Sequence, residues 1–237
     1  MSKTLLELVN TPLPEIGFPQ FTTVVGNTNQ LARQALALAN REGRSLAKYD
    51  WRILIKRNVI TTASSADSYS LPSDFDRFIH NTEWNETTTT RLFGPVQDTD
   101  WQADLSGVTV TTVEDRFQLR ADGANKRLFV RPMPTSAENL TFFYAANSWC
   151  ASNGGQRQSA FAADTDTLLV DEYVFELGLK WRLLQAQKRD YQLELAEYTN
   201  ERGKALARDG GMMTLRILGP VEDWSPQANV GEQGYGS

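Results

Sequence analysis

Apolar residues recur every three or four positions over the last third of the chain. Val170, Tyr173, Val174, Leu177, Trp181, Leu184, Tyr191, Leu195 and Tyr198 fall on one side of a helical wheel. The spacing predicts one long amphipathic helix over about 171–209, with Glu176 and Lys180 as a favourable pair four apart. Gly210-Gly211 stops it. The 26 residues that follow, 212–237, have no sustained period. They carry Met212, Met213, Leu215, Ile217, Leu218, Val221 and Trp224 among glycine, proline and charged residues. Ordering a residue costs ~1–2 kcal/mol of backbone entropy, so this segment builds no core alone. Either it packs back on its own domain or another chain supplies the surface.

At the other end, Thr4-Leu-Leu-Glu7 fits a capping box and starts a short helix over about 4–10. Pro12, Pro14, Gly17 and Pro19 then enforce a loop. Asn27 or Thr28 caps a second helix over about 28–49, whose apolar positions Leu31, Ala35, Leu38, Ala39 and Leu46 share a face; Gly43 weakens it. From Arg52 the period turns strand-like. Ile53, Ile55 and Val59-Ile60 open the stretch, and 68–72 reads as a short strand ended by Pro72. Val108, Val110 and Thr112 alternate, as do Phe117 and Leu119 against arginines and glutamine. Asp122-Gly123 turns the chain, Leu128-Phe-Val130 returns, and Leu140, Phe142 and Tyr144 make a last strand. Residues 150–163 read as a polar loop.

The predicted fold class is α+β: a helical core with long N- and C-terminal helices, an inserted small antiparallel β unit over about 53–146, and an extended C-terminal tail. Residues 1–211 form one domain, followed by the tail 212–237. With 237 residues, 41% hydrophobic and six tryptophans, the chain has material for a core of that size. A net charge of −5 excludes a general polyanion binder. No run approaches the roughly 18 apolar residues of a membrane helix. The N-terminus has no secretion signal, so a cytoplasmic start is expected. One cysteine, Cys150, and one histidine, His80, leave no internal disulfide and exclude most zinc sites.

Candidate chemistry is sparse. Asp-Thr-Asp occurs at 98–100 and 164–166. Such carboxylate pairs hold Mg²⁺ or Mn²⁺ against phosphate, but a turn at the first and a helix entry at the second explain them better. His80 lies near Ser73, Asp74 and Asp76 without a nucleophile motif around it. Trp51, Trp84, Trp101, Trp149 and Trp181 would suit a sugar groove but more often pack cores. No catalytic, metal or cofactor residue is assigned. The basic run is more informative: Arg41, Arg44, Lys48 and Arg52 share a face if the helix is continuous, and Lys56 and Arg57 extend it. Such a face suits DNA phosphate or an acidic partner.

Several strings are familiar in their order: 47–51 (AKYDW), 69–78 (YSLPSDFDRF) with Trp84, 93–96 (FGPV) with Trp101, 143–149, 161–166 (FAADTD), 176–181 (ELGLKW) with Asp190-Tyr191, and 207–211 (ARDGG). Over about 26–211 they resemble the head–tail adaptor (connector) proteins of tailed bacteriophages, particularly of podovirus type. The resemblance implies a structural, non-enzymatic protein of the virion neck, assembled in the host cytoplasm. Its copies form a ring, commonly a dodecamer, under the portal protein. C-terminal segments dock on the portal, with Met212, Met213, Leu215, Ile217, Leu218, Val221 and Trp224 as the anchors here. The opposite face receives a downstream tail or nozzle protein, and DNA only passes through the channel. The basic run then serves a subunit or portal contact. The competing readings are a carbohydrate-binding tail module and a glycosidase built on two carboxylates.

Overall fold

The computed structural model describes residues 2–107, 115–123 and 125–210. In chain order its elements are α1 (Leu5–Asn10), α2 (Gln30–Leu46), β1 (Ile55–Thr61), β2 (Ser68–Ser70), β3 (Phe75–Phe78), β4 (Trp84–Asn85), β5 (Thr90–Arg91), α3 (Asp98–Leu105), β6 (Arg116–Asp122), β7 (Asn125–Arg131), β8 (Asn139–Ala146), β9 (Cys150–Ala151), β10 (Arg157–Gln158), β11 (Thr167–Leu168), α4 (Glu172–Ala186) and α5 (Gln192–Asp209). Among the described residues this is α+β with five helices and three antiparallel sheets, the strands filling the middle of the sequence. It corrects the expected helical core with long terminal helices around one small β unit.

The largest correction is at the C-terminus. The helix expected over 171–209 is two helices, broken across 187–191. Lys188 takes φ +57°, and the amides of Gln187 and Arg189 return to the Leu184 carbonyl at 3.1 and 3.0 Å. The Arg189 guanidinium donates to the Ile16 carbonyl at 2.7 Å and ties the turn to the N-terminal segment. α5 then runs back along α4: Arg208 near its end lies 3.9 Å from Asp171, which precedes α4. Trp181 of α4 meets Tyr191 and Tyr198, each at 6.1 Å between ring centroids.

The short helix α1 has the predicted capping box. The Glu7 amide donates to the Thr4 hydroxyl, and the Glu7 carboxylate accepts the Thr4 amide at 2.7 Å. For α2 the cap is Asn29, one or two residues later than expected; its side chain accepts the Leu31 amide at 2.8 Å. A Cβ at Gly43 would overlap the Trp149 ring, so glycine there lets the indole lie against the helix.

Two main sheets replace the single β unit. In the first, β8 is central, paired to β1 on one side and to β3 and β4 on the other, with β5 beyond β4. In the second, β7 lies between β2 and β6. A third, small sheet puts β9 between β10 and β11, partly within the stretch expected to be a loop. Asp98–Asp100 opens α3 rather than a turn. The alternation at Val108, Val110 and Thr112 lies outside the described residues.

Two apolar cores result. One joins α1, α2, α4 and α5 with Trp51, Leu54, Trp149, Phe161 and Leu168. The other fills the β half around Phe75, Phe78, Phe117, Phe142 and Tyr144. Phe78 meets Phe142 edge to face at 4.9 Å and Phe117 at 5.2 Å. Pairs of this geometry contribute ~0.5–1.5 kcal/mol beyond their buried area.

Candidate functional site

The helix expected to carry the basic run ends before the run does. α2 ends at Leu46, so only Arg41 and Arg44 sit on it, both exposed. Lys48 falls in the following turn and Arg52 starts a 3-10 turn over Arg52–Leu54. Lys56 and Arg57 are neighbours on β1 and point to opposite faces. Lys56 is bound to Asp74 at 2.5 Å, and Arg57 pairs with Glu86. Arg41, Arg44, Lys48 and Arg52 make no ion pair among the described residues. The helical spacing ran on through a chain that had already left the helix.

The seven tail residues Met212, Met213, Leu215, Ile217, Leu218, Val221 and Trp224 lie outside the described residues. Gly210 ends α5 with φ +75°, a left-handed cap that glycine adopts without strain, and its amide returns to the Leu206 and Ala207 carbonyls. Asp209 accepts the Arg52 backbone amide at 2.6 Å. Beside this exit lies an open groove of about 470 Å³ with Trp51, Ile53, Leu169, Val170 and Ala205 along it.

A second apolar patch lies on one face of the β1–β8 sheet, where Val59 and Phe143 are exposed while Thr141 and Ala145 in the same rows are buried. Directly opposed strand residues share a face, so Ile55, Arg57 and Val59 line up with Ala145, Phe143 and Thr141. Trp84 continues the Thr141 row across β4. Val59 and Phe143 remain 44% and 42% exposed, a degree at which scattered side chains are unremarkable but adjacent ones form a patch.

The carboxylates singled out in the sequence serve as local clamps. Asp164 accepts the Val25 amide at 2.8 Å and the Val24 amide at 3.1 Å. Asp166 accepts the Ala162 and Ala163 amides at 2.7 and 2.9 Å. The helix entry expected of them belongs to Asp171, which accepts the Val174 amide at 2.9 Å. Asp98 accepts from Gln118 at 2.7 Å. Burial pushes the Cys150 thiol up to about 12, helped by Asp166, so this sulfur is no nucleophile at neutral pH. His80 is exposed beyond β3. Trp51 and Trp149 are buried in the helical core and Trp101 is buried under Arg120, which leaves no row of exposed tryptophans for a sugar to stack on among the described residues. Among those residues no three of His, Cys, Asp and Glu cluster as metal ligands, and no helix is long and apolar enough to cross a membrane.

Sequence reasoning missed a buried charge network. Glu42 of α2, fully buried, accepts from Arg182 of α4 at 2.5 Å and from the Tyr198 hydroxyl of α5 at 2.6 Å. Burial and the Glu42 charge push the Tyr198 hydroxyl well above its ordinary value, so it stays a donor. These residues join three helices, and their role is to hold the body together. Nor did the sequence reveal Asn85, fully buried, whose amide binds Glu138 at 2.7 Å and Asp115 at 3.2 Å.

Two kinds of feature therefore stand out: uncovered apolar surface and a poised chain exit, rather than convergent catalytic groups. The family model described as SU10 adaptor protein matches residues 3–221 of the 237. No curated protein matches the chain.

Proposed function

Because the chain belongs to the SU10 adaptor protein family, a family of phage adaptor proteins, we propose that it is a structural head–tail connector of a tailed bacteriophage of podovirus type. Copies assemble as a dodecameric ring that joins the portal to the tail and lines the channel through which DNA leaves. The family match over residues 3–221 is the observation that carries this reading. The protein works by contact, as a component of the virion neck assembled in the host cytoplasm, without a catalytic site or cofactor and away from membranes.

In this reading residues 1–211 are the body and 212–237 the docking tail. The apolar residues of the tail, from Met212 to Trp224, order on the portal and lose entropy in doing so. A ring of such tails holds each other at high local concentration, which makes attachment effectively permanent. The apolar patch of the β1–β8 sheet, with Val59 and Phe143, suits a neighbouring subunit. The cations without ion pairs among the described residues, Arg41, Arg44, Lys48 and Arg52, suit an acidic portal or subunit surface. A charge of −5 per copy gives the ring a negative field, past which DNA slides. The opposite rim receives the downstream tail or nozzle protein.

Deletion of everything after Gly211 tests the docking role. The truncated chain should fold yet fail to join portal rings, as counted by native mass. A truncated chain that still occupies portal rings fully would refute it.

A further inference from the structure

We propose that the cationic outer row of α2 in one copy docks on the acidic flank of α4 and α5 in the next copy, around Tyr173 and Glu197. The inference rests on the reading that copies form a ring, and it names the two faces that meet.

The charged groups of the outer row of α2 are all cations. Arg33, Ala37, Arg41 and Arg44 are exposed and follow one another at steps of four, four and three, so they share one side of the helix. Lys48 is exposed in the turn beyond. Glu42, the one carboxylate within α2, is buried on the other side of the helix against Arg182 and Tyr198. Among the described residues, none of Arg33, Arg41, Arg44 and Lys48 makes an ion pair. Like charges three and four apart destabilise a helix slightly, a cost that an acidic partner surface removes.

The flank of α4 and α5 is the counterpart. Lys180 is bound to Glu15 at 2.7 Å and faces Glu194 and Glu197 as well. The Tyr173 hydroxyl donates to Glu197 at 3.4 Å, and burial together with the charges of Glu197, Glu201 and Glu15 pushes it up. Glu15 and Glu201 hold Lys180 and Lys204, while Glu194 and Glu197 make no ion pair among the described residues. Tyr173 is 51% exposed, and Leu193, one turn from Glu197 on α5, is 79% exposed. Tyrosine and arginine are enriched among the side chains that anchor protein interfaces.

The two faces lie on opposite sides of α5. Glu197 leaves it towards Tyr173, whereas Arg202 leaves it towards the end of α2, 4.8 Å over the Tyr49 ring. A surface and its complement on two sides of one molecule make a head-to-tail contact, which closes into a ring when the rotation permits. Pairing of like faces sets arginine against arginine or glutamate against glutamate, so it is disfavoured.

Sedimentation of the full chain without portal tests the proposal. Exposed ion pairs are individually weak, so the parent should be monomeric near ~1 μM and associate towards ~1 mM at low salt. Raising the salt to about 0.5 M should weaken that association at least about ten-fold. Arg41→Glu/Arg44→Glu and Glu197→Arg/Glu201→Arg should each stay monomeric, because each then carries two faces of one sign. Mixed in equal amounts they should associate as the parent does, since the reversed faces are again complementary. Carbodiimide coupling of the parent, in a mixture of isotope-labelled and unlabelled chain, gives a check that needs no variant: Lys48 should join Glu194 or Glu197 of another copy. A parent that stays monomeric, variants that associate singly, a mixture that does not associate although both variants unfold like the parent, or couplings between copies only at other residues would each overturn the proposal. None of these outcomes involves the portal. A chain that fails them yet joins portal rings keeps the adaptor reading and loses this contact; one that meets them and ignores the portal keeps the contact and loses the adaptor reading.

Discussion

The helical half and the β half of this protein both pack rings, but they differ in where their ion pairs lie. Three helices of the first share a buried ion pair and its hydroxyl donor, Glu42 with Arg182 and Tyr198. The second has a cluster of rings, and its ion pairs, such as Lys56–Asp74 and Arg57–Glu86, sit at or near the surface. A cluster of rings tolerates small slips, because each contact is weak and many neighbours share the load. A buried ion pair does not: its Coulomb gain offsets the desolvation of both charges only while the geometry holds. The difference suits an adaptor body. The helices that carry the tail's exit are fixed in one arrangement, while the sheet presents an apolar patch beside an adaptable core.

The largest effect should come from stranding the buried charge. Arg182→Ala leaves Glu42 ionised and unpaired and should cost about 3–5 kcal/mol, read by denaturant unfolding. Arg182→Ala paired with Glu42→Leu should recover part of that loss. If the single change costs under about 1 kcal/mol, the contrast between the halves collapses. Removing one ring from the β half, Phe142→Ala, should cost a comparable ~3–5 kcal/mol, but through cavity formation, with no recovery from a second charge change. Next in size is the α2 cap: Asn29→Ala should lose about 1 kcal/mol.

Two carboxyls of the β half separate by pH, with opposite signs. Glu83 is 4% exposed, and Oε1 has no hydrogen-bond partner among the described residues. Burial raises its pKa, against the Glu83 and Thr82 amides and the nearby His80 and Arg91. Its folded value lies above its unfolded one, so its contribution is fully present below the ordinary glutamate value and lost as pH rises through the raised value. The stability of the protein relative to Glu83→Gln should therefore fall as pH climbs from 4 towards 7, by roughly 2–4 °C in Tm per kcal/mol lost. Asp74 is the reverse. Burial raises it, but hydrogen bonds from Lys56 and Tyr144 outweigh burial and leave it depressed. Its contribution is present above the ordinary aspartate value and lost as pH falls through the depressed one. Lys56→Met should shrink that acid-side loss, at a cost under about 1 kcal/mol at neutral pH. Smallest of all in stability is Val59→Ser/Phe143→Ser in the apolar patch of the sheet, within about 0.5 kcal/mol of the parent. It should nonetheless weaken ring assembly, measured by native mass at fixed portal concentration. A variant that assembles normally would remove that face from the account.

Local chemistry was legible in the sequence and long-range pairing was not. The capping box at Thr4 and Glu7, the turn at Asp122-Gly123 and the stop at Gly210 each depend on residues a few positions apart. The break between α4 and α5 was hidden for a physical reason. Leu184 and Tyr191 are seven residues apart, near two helical turns, so the apolar stripe stays in phase across a connection made of Gln187, Lys188, Arg189 and Asp190. Those polar residues read equally well as a solvated helix turn. Glu42 and Arg182 are 140 positions apart, and no local pattern marks two charges as mutual partners. Two-residue strands such as β9 and β10 are too short to alternate visibly. The basic run outlasts its helix: its spacing is helical, but Lys48, Arg52, Lys56 and Arg57 lie beyond the end of α2.

The central claim is that this body exists to be held by other proteins, and native mass tests it most directly. The protein should be measured alone and then mixed with the portal of the same phage. A monomer that joins portal rings as a stoichiometric ring of its own is the predicted result. A chain that stays apart from the portal at every salt concentration would contradict the account.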